Sequence, residues 1–335
     1  MLYIAFTDPL MKHKFTIAIP VYNRPEYLRQ AIRSCLAQTV PDFEIVVSDD
    51  CSPDDLGSVV SSFGDSRISY HRSMERLGAA RNHQLSVSLS QGEYVVNLHS
   101  DDLLLPTYLE VAGQALDKCG EAAAVYSAMT YLVGSKITGC HRMPKLRFAN
   151  RQVYLENFWL EKFHETAPTC CLFRRSSFNR LGGYRISLRF AYDWDLFIRF
   201  MTTGGGVLFL PEVLSVYRKH DEQASQTASL QGLYDVLDLW QLEEYSYFPS
   251  SEIADLVLQQ VRMSMIAKSK WLDILNEVRH RGLALRVLWG TAAGLPYKLR
   301  RKLGKNAPAA EEDACYQLPA NLERALQAAN VAIGN

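Results

Sequence analysis

Nowhere in this 335-residue chain do apolar residues run for the roughly 18 positions that a membrane-spanning helix needs, so no bilayer-spanning segment is expected. The apolar start Leu2–Phe6 is cut off by Thr7-Asp8-Pro9 before it reaches the length of a signal-peptide core, so no secretory leader is expected either. No C-x-x-C pair occurs. The seven cysteines are scattered and odd in number, with Cys170 and Cys171 adjacent. That usage argues against a disulfide framework or a structural zinc and for reduced thiols in the cytoplasm. Charge is balanced at 36 basic and 36 acidic residues, so no global field draws the chain to nucleic acid. Glycine is missing from the first strand-to-helix turn, Pro20-Val21-Tyr22-Asn23-Arg24-Pro25. The run Gly204-Gly205-Gly206 lacks a following Lys-Ser/Thr. Both glycine-loop nucleotide folds, the dinucleotide-binding turn and the P-loop, are thereby excluded.

What remains is the composition of a globular protein, 48% apolar, 21% charged and 11% aromatic, at a length that suits one large domain plus an appendage. Phe15–Pro20 reads as a buried strand, and Asn23-Arg24-Pro25 as a helix start followed by Leu28, Ile32, Cys35 and Leu36 at helical spacing. Further strands are expected at Phe43–Ser48, Arg67–His71 and Tyr94–Leu98, with helices opening at Ser52-Pro53-Asp54 and spanning about Gly78–Leu89. Beyond them a helix at Pro106–Lys118, a strand at Ala122–Ala128, a loop or hairpin over Gly134–Tyr154 and a strand at Thr169–Arg174 are expected. A helix at Asp193–Met201 and short strands at Val207–Leu210 and Leu214–Tyr217 complete the series. Strands and helices alternating at these lengths imply an α/β fold with a parallel sheet and right-handed crossovers. After about Ser225 the pattern turns helical, which sets the expected domains at 14–225 and a helical C-terminal extension at 226–335.

Three apolar runs end in carboxylates or open from them: Glu44–Ser48 delivers Asp49 and Asp50, Tyr94–Leu98 delivers His99-Ser100-Asp101-Asp102, and Tyr192-Asp193-Trp194-Asp195 opens Leu196–Phe200. Ligands of open α/β sheets bind beyond the carboxyl ends of the strands. Carboxylates gathered there repel one another unless a hard cation or a polar ligand joins them. The pattern points to a diphosphate-like ligand with a divalent metal.

The segments F-T-I-A-I-P-V-Y-N-R, E-I-V-V-S-D-D-C-S, L-G-A-A-R-N and G-E-Y-V-V-N-L-H-S-D-D, in that order, resemble those of the family 2 glycosyltransferases with the GT-A fold. The later segments L-G-G-Y-R, A-Y-D-W-D-L-F-I-R and Y-R-K-H-D-E-Q-A-S resemble that family's acceptor-side elements. The resemblance covers about Lys14 to Ser225 and implies a mostly parallel, Rossmann-like sheet flanked by helices. It further implies a nucleotide-diphosphate sugar donor, with UDP- or dTDP-sugars favoured, and a glycan, lipid-linked or other hydroxyl acceptor in bacterial-type polysaccharide or glycoconjugate synthesis. By that resemblance Pro20 and Tyr22 line the base pocket and Asp50 accepts the imide N–H of the base, while Asp49 is read as a turn and cap residue. Arg81 reaches the base or diphosphate, against the plain alternative of an exposed helix arginine.

His99-Ser100-Asp101 stands where the family carries its D-x-D metal motif, with His99 in place of the first Asp and Asp101 as the retained metal ligand. Mn²⁺ or Mg²⁺ is the implied cofactor, and the imidazole tilts the choice toward Mn²⁺. Asp102 is read as capping or orienting. Asp193 matches the second residue of the family's E-D pair and is the expected general base of an inverting transfer, with Tyr192 in place of the Glu and Asp195 as the rival base. His220, in Y-R-K-H, is a candidate late-chain metal or diphosphate ligand, with a purely structural histidine as the alternative. From Arg279 to Lys305 eight Lys/Arg and no acid are interleaved with leucines and Trp289. That pattern fits peripheral contact with an anionic membrane surface, or a solvated helix packed on the catalytic domain. The competing functions are a nucleotidyl or sugar-nucleotide enzyme using the same cradle, and a catalytically degenerate scaffold that binds nucleotide or glycan, the latter motivated by His99 and Tyr192.

Overall fold

The computed structural model describes residues 12–141, 147–150, 152, 167–221 and 223, then 235, 238, 239, 242, 245 and 322–331. The chain divides into two compact units. One comprises Met1–Leu188, Tyr192–His220 and Gln317–Asn335, and the other Arg189–Ala191 and Asp221–Tyr316. In the second unit the Asp235 carboxylate accepts hydrogen bonds from the backbone N–H groups of Arg189, Phe190 and Ala191. The expected boundary near residue 225 and the basic stretch 279–305 lie outside the described residues. Among the described residues no helix is long and apolar enough to cross a membrane.

The first unit is built on β1 (His13–Val21), which is buried from Phe15 onward. An almost continuous apolar run is what a central parallel strand, covered on both faces, requires. It pairs in parallel with β2 (Phe43–Asp49) on one side and β4 (Gly92–Asn97) on the other, and β2 pairs in parallel with β3 (Ile68–Arg72). Crossovers are α1 (Pro25–Leu36), α2 (Leu56–Ser61) and α3 (Ala79–Ser88). Helix α1 seats Leu28, Ala31, Ile32 and Cys35 on the sheet. Each fully buried leucine or isoleucine of that stripe contributes about 1.5–3 kcal/mol. Helix α2 starts three residues beyond Pro53, because Asp55 is its cap and accepts the N–H of Ser58 at 3.0 Å.

Past β4 the sheet departs from the parallel expectation. After β5 (Leu103–Leu104) and α4 (Tyr108–Lys118) come β6 (Ala124–Val133), β7 (Lys136–His141) and β8 (Phe148–Ala149). A 3₁₀ turn at Pro168–Cys170 then leads into β9 (Cys171–Arg174), which is inserted antiparallel between β4 and β6. Strand β10 (Val207–Lys219) runs parallel to β6, giving the order β3-β2-β1-β4-β9-β6-β10-β5. The expected excursion at 134–154 is in part a β6–β7 hairpin, turned at Gly134 with φ 58°. The two short strands expected at Val207–Leu210 and Leu214–Tyr217 are one strand with register shifts beside Pro211, whose missing N–H forces the irregularity. Helices α5 (Arg175–Arg180) and α6 (Tyr192–Thr202) cover the β9 side, and α7 (Leu322–Ala328) packs against α1.

The starts of three strands are tied together below the site. Thr16 donates to the Glu44 carboxylate at 2.6 Å and accepts from the Gly92 N–H at 2.8 Å, while Glu44 also accepts from the Gln91 N–H. A Cβ on Gly92 would lie 2.6 Å from the backbone of Phe15 and Thr16 and from the Thr16 hydroxyl. Gly92→Ala is therefore expected to cost about 1–3 kcal/mol, read as a lower urea midpoint at unchanged m. Gly120→Ala, whose Cβ meets nothing within 4 Å, serves as the control and should shift stability by no more than about 0.5 kcal/mol.

Candidate active site

The acids expected at the strand ends occupy different surroundings at the carboxyl edge of the sheet. Asp49 is fully buried: it accepts from the Ser52 N–H at 3.0 Å, from the Ser52 hydroxyl and from the Tyr70 hydroxyl at 2.6 Å. It holds the β2 turn. Asp50 is also buried, and its two oxygens accept the N–H groups of Leu77 and Gly78 just ahead of α3. Asn82 on α3 bridges the neighbouring strand ends, donating to the carbonyl of Ser48 and accepting from its hydroxyl. Pro20 is buried in β1, whereas Tyr22 is half-buried with the Arg76 guanidinium 3.9 Å above its ring. Arg81 is exposed on the first turn of α3 and makes no hydrogen bond or ion pair to a described residue.

The loop after β4 carries the densest group. Asp101 Oδ2 accepts from Arg24 Nη1 at 2.9 Å and lies 2.9 Å from His220 Nε2. Arg24 gets there because Asn23 and Arg24 both take left-handed backbone, at φ 57° and 64°. Neither is glycine, and such strain concentrates where function needs a side chain aimed. Helix α1 accordingly starts without a side-chain cap, the Arg24 side chain being used on Asp101. His220 arrives from the end of β10 with its ring 5.1 Å from that of Tyr27. The neighbouring Asp102 is fully buried, accepting from the Thr169 hydroxyl at 2.6 Å and from the Arg218 N–H at 2.9 Å. Burial pushes the Asp102 carboxyl well above the usual range, and the adjacent Asp101 charge adds to that. For Asp101 burial pulls the same way but is outweighed by His99, His220 and Arg24, which hold it below the usual range.

One ligand atom from each of His99, Asp101 and Asp102 lies within 4.8 Å of the others. A divalent cation fits this donor set: both bonds to Asp101 fall on Oδ2 and leave Oδ1, and burial lowers the His99 pKa against the pull of Asp101, which favours an imidazole with a lone pair to offer. Asp102, with both oxygens already bonded, is the weakest donor of the three.

Asp193 and Asp195 separate sharply. Asp195 is fully buried and bonded to Arg199 at 2.5 and 2.9 Å and to Arg185 at 3.2 Å. Asp193 is half-buried on the wall of a small cleft that it shares with Tyr126, Pro168, Cys171, Tyr184 and Leu196. Its carboxylate accepts only the neighbouring Trp194 N–H, at 2.7 Å, among the described contacts. Burial pushes its pKa up to about 6, with the Asp195 charge adding. The 3₁₀ turn separates this cleft from the Asp101 loop: Thr169 bonds Asp102 while Pro168 lines the cleft.

His99, Asp101 and His220 are thus brought together, Asp193 stands one turn of chain away, and Asp50 and Arg81 sit at the start of α3. Arg24, Thr169, His83 and Arg218 were not singled out for the site by sequence. A non-glycine turn directly before Pro25 was the one local signal for Arg24.

The description of glycosyl transferase family 2 matches residues 16–182. An uncharacterized glycosyltransferase of Rickettsia typhi is 31% identical over 250 residues, 74% of this chain and 74% of that protein. The glycosyl transferase WcaA of Escherichia coli, whose name provisionally assigns it to colanic acid biosynthesis, is 28% identical over 203 residues, 57% of this chain and 67% of that protein. Among solved structures, S. aureus TarS 1-349 in complex with UDP-GlcNAc superimposes with a TM-score of 0.55 at 18% identity, over 80% of this chain and 72% of that one. At that identity the likeness is one of fold.

The two acids of α6 should separate in stability as well. The folded state raises the Asp193 pKa above its unfolded value, so its charging costs stability as the pH rises from that value to about 6, and the cost is fully present above about 6. At pH 8 Asp193→Asn is expected to keep or raise the Tm. Asp195→Asn strands Arg199 and Arg185 against a neutral amide and is expected to lower it, by about 3 kcal/mol of stability. Thermal unfolding of the two variants side by side checks this, and equal losses would contradict the assignment.

Proposed function

The chain belongs to the family 2 glycosyltransferases, and from that premise we propose that it moves a sugar from a UDP- or dTDP-sugar to a hydroxyl acceptor with inversion at the anomeric carbon, assisted by a divalent cation. Its mostly parallel sheet flanked by helices is the GT-A arrangement. The observation that carries the reading is the division of labour between two acids: Asp101 held ionised between Arg24 and His220, and Asp193 without a cationic partner among the described residues at a pKa of about 6.

In this reading Asp193 accepts the acceptor hydroxyl proton as that oxygen attacks the anomeric carbon. The new carbon–oxygen bond forms on one face of the sugar while the bond to the nucleoside diphosphate breaks on the other. A base near pKa 6 is ionised at neutral pH yet basic enough to take the proton, and such a group supplies roughly 10²–10⁴-fold. Apolar neighbours around Asp193, among them Leu196 and Phe173, limit the water that would hydrolyse the donor. Charge on the departing diphosphate is what a bound Mn²⁺ or Mg²⁺ neutralises, and His99 and Asp101 would hold it, with His220 already on the Asp101 carboxylate. Pro20 and Tyr22 line the base. Asp50 keeps lone pairs beyond those used by Leu77 and Gly78, and these suit the imide N–H of uracil or thymine. Arg81, unpaired on α3, is available to the diphosphate.

TarS binds UDP-GlcNAc, which supports a uridine donor here, and the likeness to WcaA supports an acceptor in bacterial surface-glycan assembly, glycan or lipid-linked. We place this work in the cytoplasm, where nucleotide sugars are made and where the described cysteines, all free, stay reduced.

Purified protein given UDP-, GDP- and dTDP-sugars, with Mn²⁺ present or chelated, should release nucleotide slowly from a uridine or thymidine donor and only with metal. Release from none of them favours the binding scaffold over the enzyme. Asp193→Asn should keep UDP affinity and lose roughly 10²–10⁴-fold in transfer. Full transfer in that variant favours the sugar-nucleotide enzyme. In the wild type kcat/KM should fall about tenfold per pH unit below about 6, as Asp193 takes up its proton.

A further inference from the structure

The site contains a buried nitrogen that neither the fold nor the proposed reaction uses. His83, on α3, is 6% exposed. Its Nδ1 lies 2.9 Å from the carbonyl oxygen of Ala79, one helical turn back, so Nδ1 carries the hydrogen and Nε2 presents a lone pair. Nε2 is sealed from solvent and has no hydrogen-bond partner.

Three rings surround it: His99 at 5.4 Å and edge-on (82° between planes), Tyr184 at 5.9 Å and Tyr192 at 5.1 Å. The Tyr192 hydroxyl lies 3.4 Å from the other nitrogen, Nδ1, and the Tyr184 hydroxyl is already bonded to the Asn97 amide at 2.8 Å. His99 is the neighbour whose ring nitrogens are uncommitted. Its Nδ1 is 3.7 Å from Asp102 Oδ2, too far for a hydrogen bond. A neutral imidazole that gives one nitrogen to a cation needs an acceptor for the hydrogen on the other, and that acceptor fixes both tautomer and ring orientation.

We propose that His83 is the positioning residue of the cation site: its Nε2 accepts the remaining ring N–H of His99 and so fixes which His99 nitrogen faces Asp101. The inference rests on the reading of His99 as a donor to the cation. It also accounts for a histidine serving where a carboxylate would need no such partner.

The test is Mn²⁺ affinity in the presence of UDP, read by electron paramagnetic resonance on the full chain. His83→Phe, which keeps a ring but no acceptor, should weaken Mn²⁺ binding by about 10-fold or more. His83→Gln, whose amide oxygen reaches toward the same place, should recover most of the loss. In a His99→Ala background, His83→Phe should add nothing. Wild-type affinity in His83→Phe alongside weak binding in His99→Ala overturns the inference and leaves the metal reading standing. An equal loss from His83→Phe with and without His99 overturns it too, because the effect then does not pass through His99. Wild-type affinity in His99→Ala removes the premise and the inference together. Should His83→Phe fail to fold, ¹⁵N spectra of the wild type with Mg²⁺ and UDP decide instead: His83 protonated at Nδ1 and bonded at Nε2 supports the pairing, and His83 protonated at Nε2 overturns it.

Discussion

A single carboxylate oxygen, Asp101 Oδ2, joins three parts of the chain that are far apart in sequence: Arg24 after β1, Asp101 after β4 and His220 after β10. Two donors on one oxygen, in a place where only 13% of the Asp101 side chain is exposed, keep the carboxylate ionised although burial opposes it. The backbone concessions around it follow from that bond. Asn23 and Arg24 are held left-handed without glycine, and α1 gives up its side-chain cap. Arg218 turns its Nε to the Asp101 carbonyl at 2.8 Å, so both the side chain and the backbone of this residue are fixed.

The acids of the site are sorted by partners rather than by residue type. Asp49 and Asp195 are buried among donors and serve the fold. Asp102 is buried with a hydroxyl and a backbone N–H as its donors, and burial, with the Asp101 charge adding, raises its pKa. Asp193 has burial without a cation among the described residues, which raises it to about 6. Asp50 is the intermediate case, spending one lone pair of each oxygen on the approach to α3. One residue type thus yields a carboxyl held low, two that are raised and structural caps within one edge of a sheet.

Much of this was legible in the sequence where the determinants are local. The apolar runs of β1, β2 and β4 and the acids that terminate them follow from alternation and breakers, and so does the helix opened by Pro25. Strand direction was not legible: Cys171–Arg174 reads as a buried strand whichever way it runs, and only tertiary pairing makes it antiparallel. Nor was the reach of Arg24, which depends on two backbone angles that Asn and Arg rarely adopt. The preference for Asp193 over Asp195 rested on motif position. The physical difference between them lies in Arg185 and Arg199, and only the second is a local partner, one helical turn away.

The antiparallel insertion of β9 is what gives the site two sides. Were β9 parallel to β4, its carboxyl end would lie beside His99 and the chain would leave into a crossover there. Running the other way, it enters from the carboxyl edge, and the 3₁₀ turn Pro168–Cys170 that precedes it is set down between the Asp101 loop and α6. Thr169 then reaches Asp102, Pro168 lines the cleft of Asp193, and the Cys170 thiol, buried at the turn's end, is raised chiefly by that burial. A turn of three residues is thus all that stands between the Asp101 loop and the cleft of Asp193. The strand that breaks the parallel pattern is therefore the element whose approach sets a single turn between the Asp101 loop and Asp193.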